Sequence, residues 1–520
     1  MNKPTLAALL LLAPALAFAG EAAPDPAAAE PAEAPAAPGR TEREITLDEC
    51  IRLALLNNLD LQIKRLDRQS ADLDLASARG AYDPSLSLAA SRSHTETSGQ
   101  SAGTAEGVLA TAASDQDEDA FSGGLSGKTS FYGLSYALTA KTGRTEGSRA
   151  SNPFDTANAS VGASLTQPLL AGFKTDSARW QLASARSLSE SAALSLERQA
   201  QTTVAAVVSA WYDFISARES IAVHSEAVRL AEQLLADSVR KVQVGALSPL
   251  DEKQASSQAA SARAALADAR RSCIQAENAL KNLVFADLRA ARAVALSPIG
   301  DLSADEVRPD LDLSSEAALE NRPDLRAKRL EVERLGLAAD FNKNKTLPAL
   351  DFVAGAGLAA SDGDDYGDAW DRVSSADDPY WTVGLQFSVP LGNRTARSEY
   401  AKSLAALDSA RLSLRALEES VLVDIDDSVA AVFTGWAKIL ATRDAREYAA
   451  QALAAEQKKL ESGKSTNFVV LQLQKDLTSA RQTEIAATAA YLKALSALAL
   501  ADASILTRFS LAPPSPTPDP

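Results

Sequence analysis

The chain has 520 residues, with 52 Lys and Arg against 68 Asp and Glu and a formal charge of −16, and so acidic a surface excludes nucleic acid as its partner. Two cysteines, Cys50 and Cys273, are too few for a disulfide framework, and two histidines, His94 and His224, without a partner at ligand spacing leave no metal constellation. With no nucleophile beside a base and no phosphate-binding glycine loop, neither an enzyme nor a cofactor is expected.

At the N-terminus Lys3 precedes an apolar run from Leu6 to Leu16, and Ala17-Phe18-Ala19 places small residues at a cleavage site. This is the pattern of a secretory signal peptide over 1–19, too short to span a bilayer. Residues 20–40, almost wholly Ala, Pro, Glu and Asp, cannot bury enough apolar surface to offset the entropy of ordering and are expected to be a disordered leader. Two packed thiols are favoured over a Cys50–Cys273 bridge.

The mature chain carries a repeat. A shift of 264 residues lays Ala54, Asn57, Asp60, Leu61, Pro84 and Leu86 onto Ala318, Asn321, Asp324, Leu325, Pro348 and Leu350. Pro168-Leu169 likewise matches Pro390-Leu391, and Gly245 with Gln254 matches Gly463 with Gln472. The order of elements is the same in both halves.

Each half opens with a helical segment, 46–80 and 314–345. Thr46-Leu47-Asp48-Glu49 forms a capping-box pattern, and Ser314, Ser315 and Glu316 a looser one. After Pro84 and Pro348 the period changes to two. Leu86, Leu88 and Ala90 alternate with serines, as do Val161, Ala163 and Leu165 with Ser and Gly. In the second half Leu350, Phe352, Ala354, Ala356 and Leu358 form one face, and Trp381, Val383, Leu385 and Phe387 another. Four amphipathic strands are expected, two per half. A further alternating piece at 131–141, with Tyr132, Leu134, Tyr136 and Leu138 on one face, is an extra hairpin or a longer strand.

Polar loops are expected at 97–120 and 360–379. Their acidic groups, Asp115, Asp117, Glu118 and Asp119, then Asp362, Asp364, Asp365 and Asp368, read as solvated charge rather than cation sites. Trp381, Tyr380 and Tyr132 fit interfacial aromatic girdles, and Trp211, Tyr212 and Phe214 fit ordinary helix packing.

Phe173 to Val244 contains neither Gly nor Pro, which predicts one helix of about 108 Å. Gly245 to Pro249 breaks it, and a return helix is predicted over Leu250–Ser297. The second half repeats the plan, with Asn393–Ser462 interrupted only by Gly435, a turn at Gly463, and Lys464–Ala512.

No mature segment has about 18 uninterrupted apolar residues, so a membrane span has to be a closed β-barrel. Four strands cannot close one, since the smallest outer-membrane barrels need about eight. Strands therefore have to be pooled between chains, while the long helices project into an aqueous compartment. The rival readings are a periplasmic adaptor, which carries a single helical hairpin between compact β-domains, and a structural coiled coil of the envelope, which needs no strands.

From Thr46 to Leu506 the plan resembles the TolC-like outer-membrane efflux proteins. The resemblance rests on Leu165-Thr166-Gln167-Pro168-Leu169-Leu170-Ala171-Gly172-Phe173, its counterpart Phe387-Ser388-Val389-Pro390-Leu391-Gly392, Asn321-Arg322-Pro323-Asp324-Leu325, and the turns after Gly245 and Gly463. It implies an α+β membrane protein: a duplicated unit of helix, β-hairpin and long helical hairpin, making a trimeric twelve-stranded outer-membrane β-barrel continued by a periplasmic α-helical barrel. It also implies a passive exit duct for efflux or type I secretion, a homotrimer in outer-membrane lipid that meets a periplasmic adaptor (membrane fusion protein) and, through it, an inner-membrane pump. The implied docking tips hold Gly245, Ser248, Leu250, Gly463, Thr466 and Phe468, and the strand–helix junctions Pro168, Gly172, Pro390 and Gly392. The implied periplasmic gate positions are Asp251, Val469 and Gln472. Well-known members carry acidic residues just after the second tip; Val469 and Gln472 stand there in this chain, leaving Asp251 the nearby acid. The expected division is 41–298 and 314–512 for the repeats, 299–313 for a linker and 513–520 for a disordered tail.

Overall fold

The computed structural model describes residues 41–511, apart from 105–106, 112, 150–151, 246, 364 and 463. The expected signal peptide, leader and tail, together with Asp364 and Gly463, thus lie outside the described residues.

Strand β1 (Thr41–Ile45) leads into helices α1 (Leu47–Asn57) and α2 (Leu59–Arg79). Thr46 caps α1 by accepting from the Glu49 N–H, while the Glu49 carboxylate pairs with Arg43 instead of closing the box. The predicted single helix is broken at Asn58, whose side chain caps α2 through the Leu61 N–H. The first half then supplies β2 (Ser85–Thr97), a small hairpin of β3 (Gln100–Thr104) and β4 (Gly107–Thr111), β5 (Ser114–Lys128), β6 (Ser135–Arg149) and β7 (Asn152–Pro168).

Helix α3 (Ser177–Gln243) has 67 residues and is about 100 Å long. Helix α4 (Pro249–Val284) returns, then α5 (Leu288–Ala291) and β8 (Val294–Pro298) close the half. The predicted return helix therefore ends early: β8 pairs in parallel with β1. A buried ion pair fixes it there, since Glu277 and Lys281 on α4 are 2.7 Å apart and hydrogen-bond to the Leu296 N–H and the Val294 carbonyl.

The second half runs α6 (Leu311–Asn321), α7 (Pro323–Asn344), β9 (Ala349–Gly363), α8 (Tyr366–Ser375), β10 (Pro379–Ser388), α9 (Arg394–Glu461), α10 (Asn467–Ala501) and α11 (Ile505–Arg508). Its first helix starts at Asp310, which accepts from the Asp312 and Leu313 N–H groups, and not at Ser314. The break before Pro323 falls at Arg322, 264 positions beyond Asn58, and both residues have φ −61° with extended ψ.

The four-strand expectation is corrected. One antiparallel sheet of six strands runs in the order β10-β9-β7-β6-β5-β2, so the first half contributes four strands and the twelve-strand sum for three copies no longer follows. The piece at 131–141 is the turn of an inserted hairpin, β5–β6, and the first part of β6. The loop expected over 97–120 is largely strand, and the 360–379 segment holds the end of β9 and helix α8.

Register carries one pattern across all six strands. Leu86, Leu125, Leu138 and Ala163 are successive rung partners, as are Val161, Leu358 and Pro379. One face is therefore Leu86, Leu88, Phe121, Leu125, Tyr136, Leu138, Val161, Leu165, Leu350, Phe352, Trp381, Val383, Leu385 and Phe387. The opposite face is Ser, Gly and Thr for most of its length, for example Ser87, Gly124, Thr139, Gly162 and Gly357 on connected strands, with Tyr380 their aromatic partner on β10.

The helices pack around two midway cores. One joins Ile45, Cys50, Ile51, Ala54, Val204, Val207, Trp211, Phe214, Leu280 and Val284; the other joins Ala318, Leu325, Val421, Ile425, Val432, Ile439, Tyr491 and Leu495. Trp211 and Phe214 are core residues. Cys50 and Cys273 are free thiols at the first core, and burial pushes the Cys50 thiol up to about 12, with help from the nearby Glu49 charge. Helix α10 is long and apolar enough to cross a membrane by composition. Its apolar side is instead used in packing, with Leu477, Ala487, Tyr491, Leu495 and Leu498 buried.

Candidate functional site

Three regions make the candidate site: the sheet, the junctions beneath it and the far tips of the helical hairpins. The sheet's apolar face is open in this chain. Leu88, Trp381, Leu385 and Phe387 are 78%, 76%, 67% and 62% exposed, a loss of buried area that only an apolar surrounding or another layer can offset. The opposite face, small and hydroxylated, suits water. Alternation of this kind is what a barrel wall between hydrocarbon and an aqueous lumen requires.

Along the same face the apolar band gives way to charge. Asp115, Asp117 and Asp119 share a face of β5 with Phe121; β2 supplies their charge partners, and Arg144 of β6 extends the belt to Asp155 of β7. His94 Nδ1 lies 3.0 Å from Asp117, Arg92 3.7 Å from Asp119, and Arg144 grips Asp155 through two hydrogen bonds of 3.0 and 2.6 Å. Asp115, Asp117 and Asp119 are therefore part of a paired belt on strands, not a solvated loop, while Glu118 takes the other face of β5. The strand phase of these acids was in the sequence, as a period-two run continuous with Phe121, Gly123 and Leu125, but their pairing was not. Helix α8 covers the upper part of this face. Ala369 and Val373 pack on Ala157, Ala159 and Ala360, Tyr366 meets Phe121 edge-on at 6.4 Å, and Asp365 caps the helix through the Tyr366 N–H.

Beneath the sheet the predicted junction residues come together. Gly172 and Gly392 have φ of +88° and +89°, a left-handed turn that only glycine takes without strain. Each follows a Pro-Leu pair, Pro168-Leu169 or Pro390-Leu391, that ends a strand. The two junctions are also tied to the second half's helix-to-strand turn. Leu169 N–H donates to Leu350 O at 2.7 Å, Gly172 N–H to Asn344 Oδ1 at 2.7 Å, and Asn393 Nδ2 to Thr346 O at 3.0 Å. The hairpin turn between β5 and β6 docks here as well, since Arg179 donates to Ser130 O and Gln167 to Tyr132 O.

At the far tips Gly245 has φ +76°, and Ser248 caps α4 in a full capping box with Asp251, whose carboxylate accepts from the Ser248 N–H at 3.1 Å. Pro249 occupies the first helical position, where its missing N–H costs nothing. On the second hairpin Thr466 occupies the cap position of α10 without a side-chain bond. Here the structure adds a residue the sequence did not single out: Asn467, 3% exposed, donates to Ser238 Oγ of α3 at 3.0 Å and so pins one hairpin to the other.

Of the predicted tip and gate residues, Leu250, Phe468 and Gln472 line one groove of about 400 Å³ between α4 and α10, together with Lys253, Leu471 and Lys475. Asp251 is engaged as a helix cap, and Val469 is 39% exposed beside the groove. Gln472 donates to Asp476 one turn on, at 2.9 Å. Asp476 escaped sequence reading because it lies a full helical turn beyond the matched position.

The sequence matches the family model described as outer membrane efflux protein over residues 50–284 and 314–504. No curated protein matches it significantly. Among solved structures it is similar to the Campylobacter jejuni CmeC outer membrane channel, at 15% identity and a TM-score of 0.65 over 88% of this chain and 86% of that one. The outer membrane protein VceC of Vibrio cholerae is 16% identical, with a TM-score of 0.64 over 88% and 95%. The open-state MtrE outer membrane channel of Neisseria gonorrhoeae is 17% identical, with a TM-score of 0.61 over 88% and 89%. At these identities the likeness is one of fold.

Proposed function

The chain belongs to the outer membrane efflux protein family, and from that premise we propose that it is the passive outer-membrane duct of a tripartite efflux or type I secretion machine, working as a homotrimer. The observation that carries the reading is the coupling of a two-faced sheet with both edge strands exposed to helical hairpins whose outgoing helices, α3 and α9, are about 100 Å long. The sheet is suited to lipid outside and water inside. The helices are far longer than the roughly 30 Å hydrocarbon core, and in this reading they project into the periplasm as a tunnel.

In this account the duct performs no chemistry. A pump in the inner membrane supplies the energy, and a periplasmic adaptor meets the tips at Gly245, Ser248, Leu250, Gly463, Thr466 and Phe468. The groove at Leu250 and Phe468 supports that assignment, because exposed apolar side chains flanked by Lys253 and Lys475 form an anchor with a polar rim. The gate is assigned to the neighbourhood of Asp251, Val469 and Gln472, with Asp476 added. Residues 41–298 and 314–512 act as the two repeats, joined by 299–313. The junctions at Pro168–Gly172 and Pro390–Gly392 hold barrel and tunnel in line.

The test is fractionation and deletion. Native protein should be found as a heat-modifiable trimer in outer membranes, and loss of the gene should sensitise cells to toxic compounds, restored by the native gene. Recovery as a soluble periplasmic monomer would overturn the proposal.

A further inference from the structure

We propose that the β5–β6 hairpin is part of the barrel wall, so that three copies of this chain close an eighteen-stranded barrel by pairing β10 of each copy with β2 of the next. The inference rests on the trimeric duct proposed above and sets the width of its outer part.

Four observations carry it. First, the hairpin is hydrogen-bonded along its length on both sides, to β2 and to β7, leaving no free edge within the sheet. Second, it has two faces in phase with its neighbours. Phe121, Leu125, Tyr136 and Leu138 continue the apolar face, while Ser122, Ser126, Ser135 and Thr139 continue the polar one. A plug held in an aqueous lumen has no use for the apolar row, and a loop above the membrane has no use for either. Third, its inner turn is anchored where sheet meets helices, through Tyr132 on Phe173 and Arg179 on Ser130 O. Fourth, six is even. Adjacent strands run antiparallel throughout the sheet, so the edges β2 and β10 point in opposite directions.

The two edges match one another. Both are exposed along their whole length, a standing invitation to pair. At the helix end of β2 sits Leu86, and at the helix end of β10 sits Phe387. Both belong to the apolar face, so a second copy joined there continues it. An edge-to-edge partner of a different chain would have to reproduce this depth and phase, which a copy does automatically.

Barrel diameter grows roughly linearly with strand number, so eighteen strands give a wall about one and a half times as wide as twelve, with about twice the cross-section.

The ladder also provides the experiment. Thr97, Ser114, Arg149 and Asn152 are successive partners at one level. Replacing residues 98–151 with an Asn-Gly turn therefore leaves β2 and β7 level, antiparallel and in phase for direct pairing. Native protein and this variant would be purified from outer membranes and imaged by electron cryomicroscopy. Eighteen wall strands in the native trimer support the inference, and twelve in the variant, with a diameter smaller by about one third, strengthen it. A native trimer with twelve wall strands and the hairpin outside the wall overturns it and leaves the duct intact. A native dimer closing on twelve strands also overturns it. Absence of any membrane-inserted oligomer would remove the underlying duct instead, and should the variant fail to fold, the native strand count decides alone.

Discussion

Tyr132 and Phe173 stack almost parallel, with ring centroids 4.6 Å apart and planes 9° apart. The contact joins the turn of the inserted hairpin to the junction from which α3 departs, and Arg179 adds its guanidinium 5.9 Å from the Tyr132 ring while donating to Phe173 O and Lys174 O. One cluster thereby ties the sheet's inner turn to the start of α3.

Phe173→Ala is expected to free that turn. Losing an aromatic pair and its packing costs about 2 kcal/mol, felt locally rather than in the midway cores. Limited proteolysis should show faster cutting near 129–134, with the helical signal in circular dichroism unchanged. Equal protection of native and variant turns would contradict the role.

At the tips, Leu250→Ser combined with Phe468→Ser removes two side chains that are 65% and 61% exposed. Folding and oligomer formation should be unaffected, while binding to a purified cognate adaptor should weaken at least tenfold, about 1.4 kcal/mol or more. Unchanged binding would shift docking away from this groove.

Midway along the helices, Asp324 pairs with the buried Arg322 at 2.8 Å, and Asp424 reaches the same guanidinium at 3.4 Å. Burial opposes ionisation of the Asp324 carboxyl, but the hydrogen bond and charge of Arg322 outweigh it and hold its pKa below the ordinary 3.8. A depressed folded-state pKa stabilises above the ordinary value and loses that contribution as pH falls through the folded one. Stability should thus drop in acid below pH 3.8 in the native protein and less steeply in Asp324→Asn. The variant should cost about 2 kcal/mol near neutrality, short of the full penalty for an unpaired buried charge because Asp424 remains. Thermal melts across pH distinguish these outcomes.

Tyr491, fully buried, donates to Asp305 O at 2.8 Å and accepts from the Val307 N–H at 3.0 Å, while its ring packs against Gly435 of α9. Tyr491→Phe leaves both backbone groups of the 299–313 segment without their partner, at a cost of about 1–2 kcal/mol. Hydrogen exchange at the Val307 amide should accelerate while exchange along α9 stays slow.

Much of this was legible in the chain. The stretch without Gly or Pro before Gly245 forms α3, and Trp381, Val383, Leu385 and Phe387 form one face of β10. Local composition misled where partners lie far away. Asp115, Asp117 and Asp119 read as loop because their counter-charges, Arg92 and His94, belong to the neighbouring strand β2. The same holds for β8, whose residues 294–297 looked helical because they contain neither Gly nor Pro. It is a strand because Thr41–Ile45, some 250 residues earlier, and the Glu277–Lys281 pair hold its backbone.

Periodicity and punctuation are properties of neighbours along the chain, and they were enough to set the two longest helices, α3 and α9, the strand faces, the duplicated plan and the turns at Pro168–Gly172 and Gly245–Leu250. Pairing is decided between residues that meet only after the chain has closed a long loop, where burial and hydrogen bonding to a distant partner outweigh local preference. Hence the count of six strands, the paired belt of charge and the link between Asn467 and Ser238 belong to the tertiary structure alone.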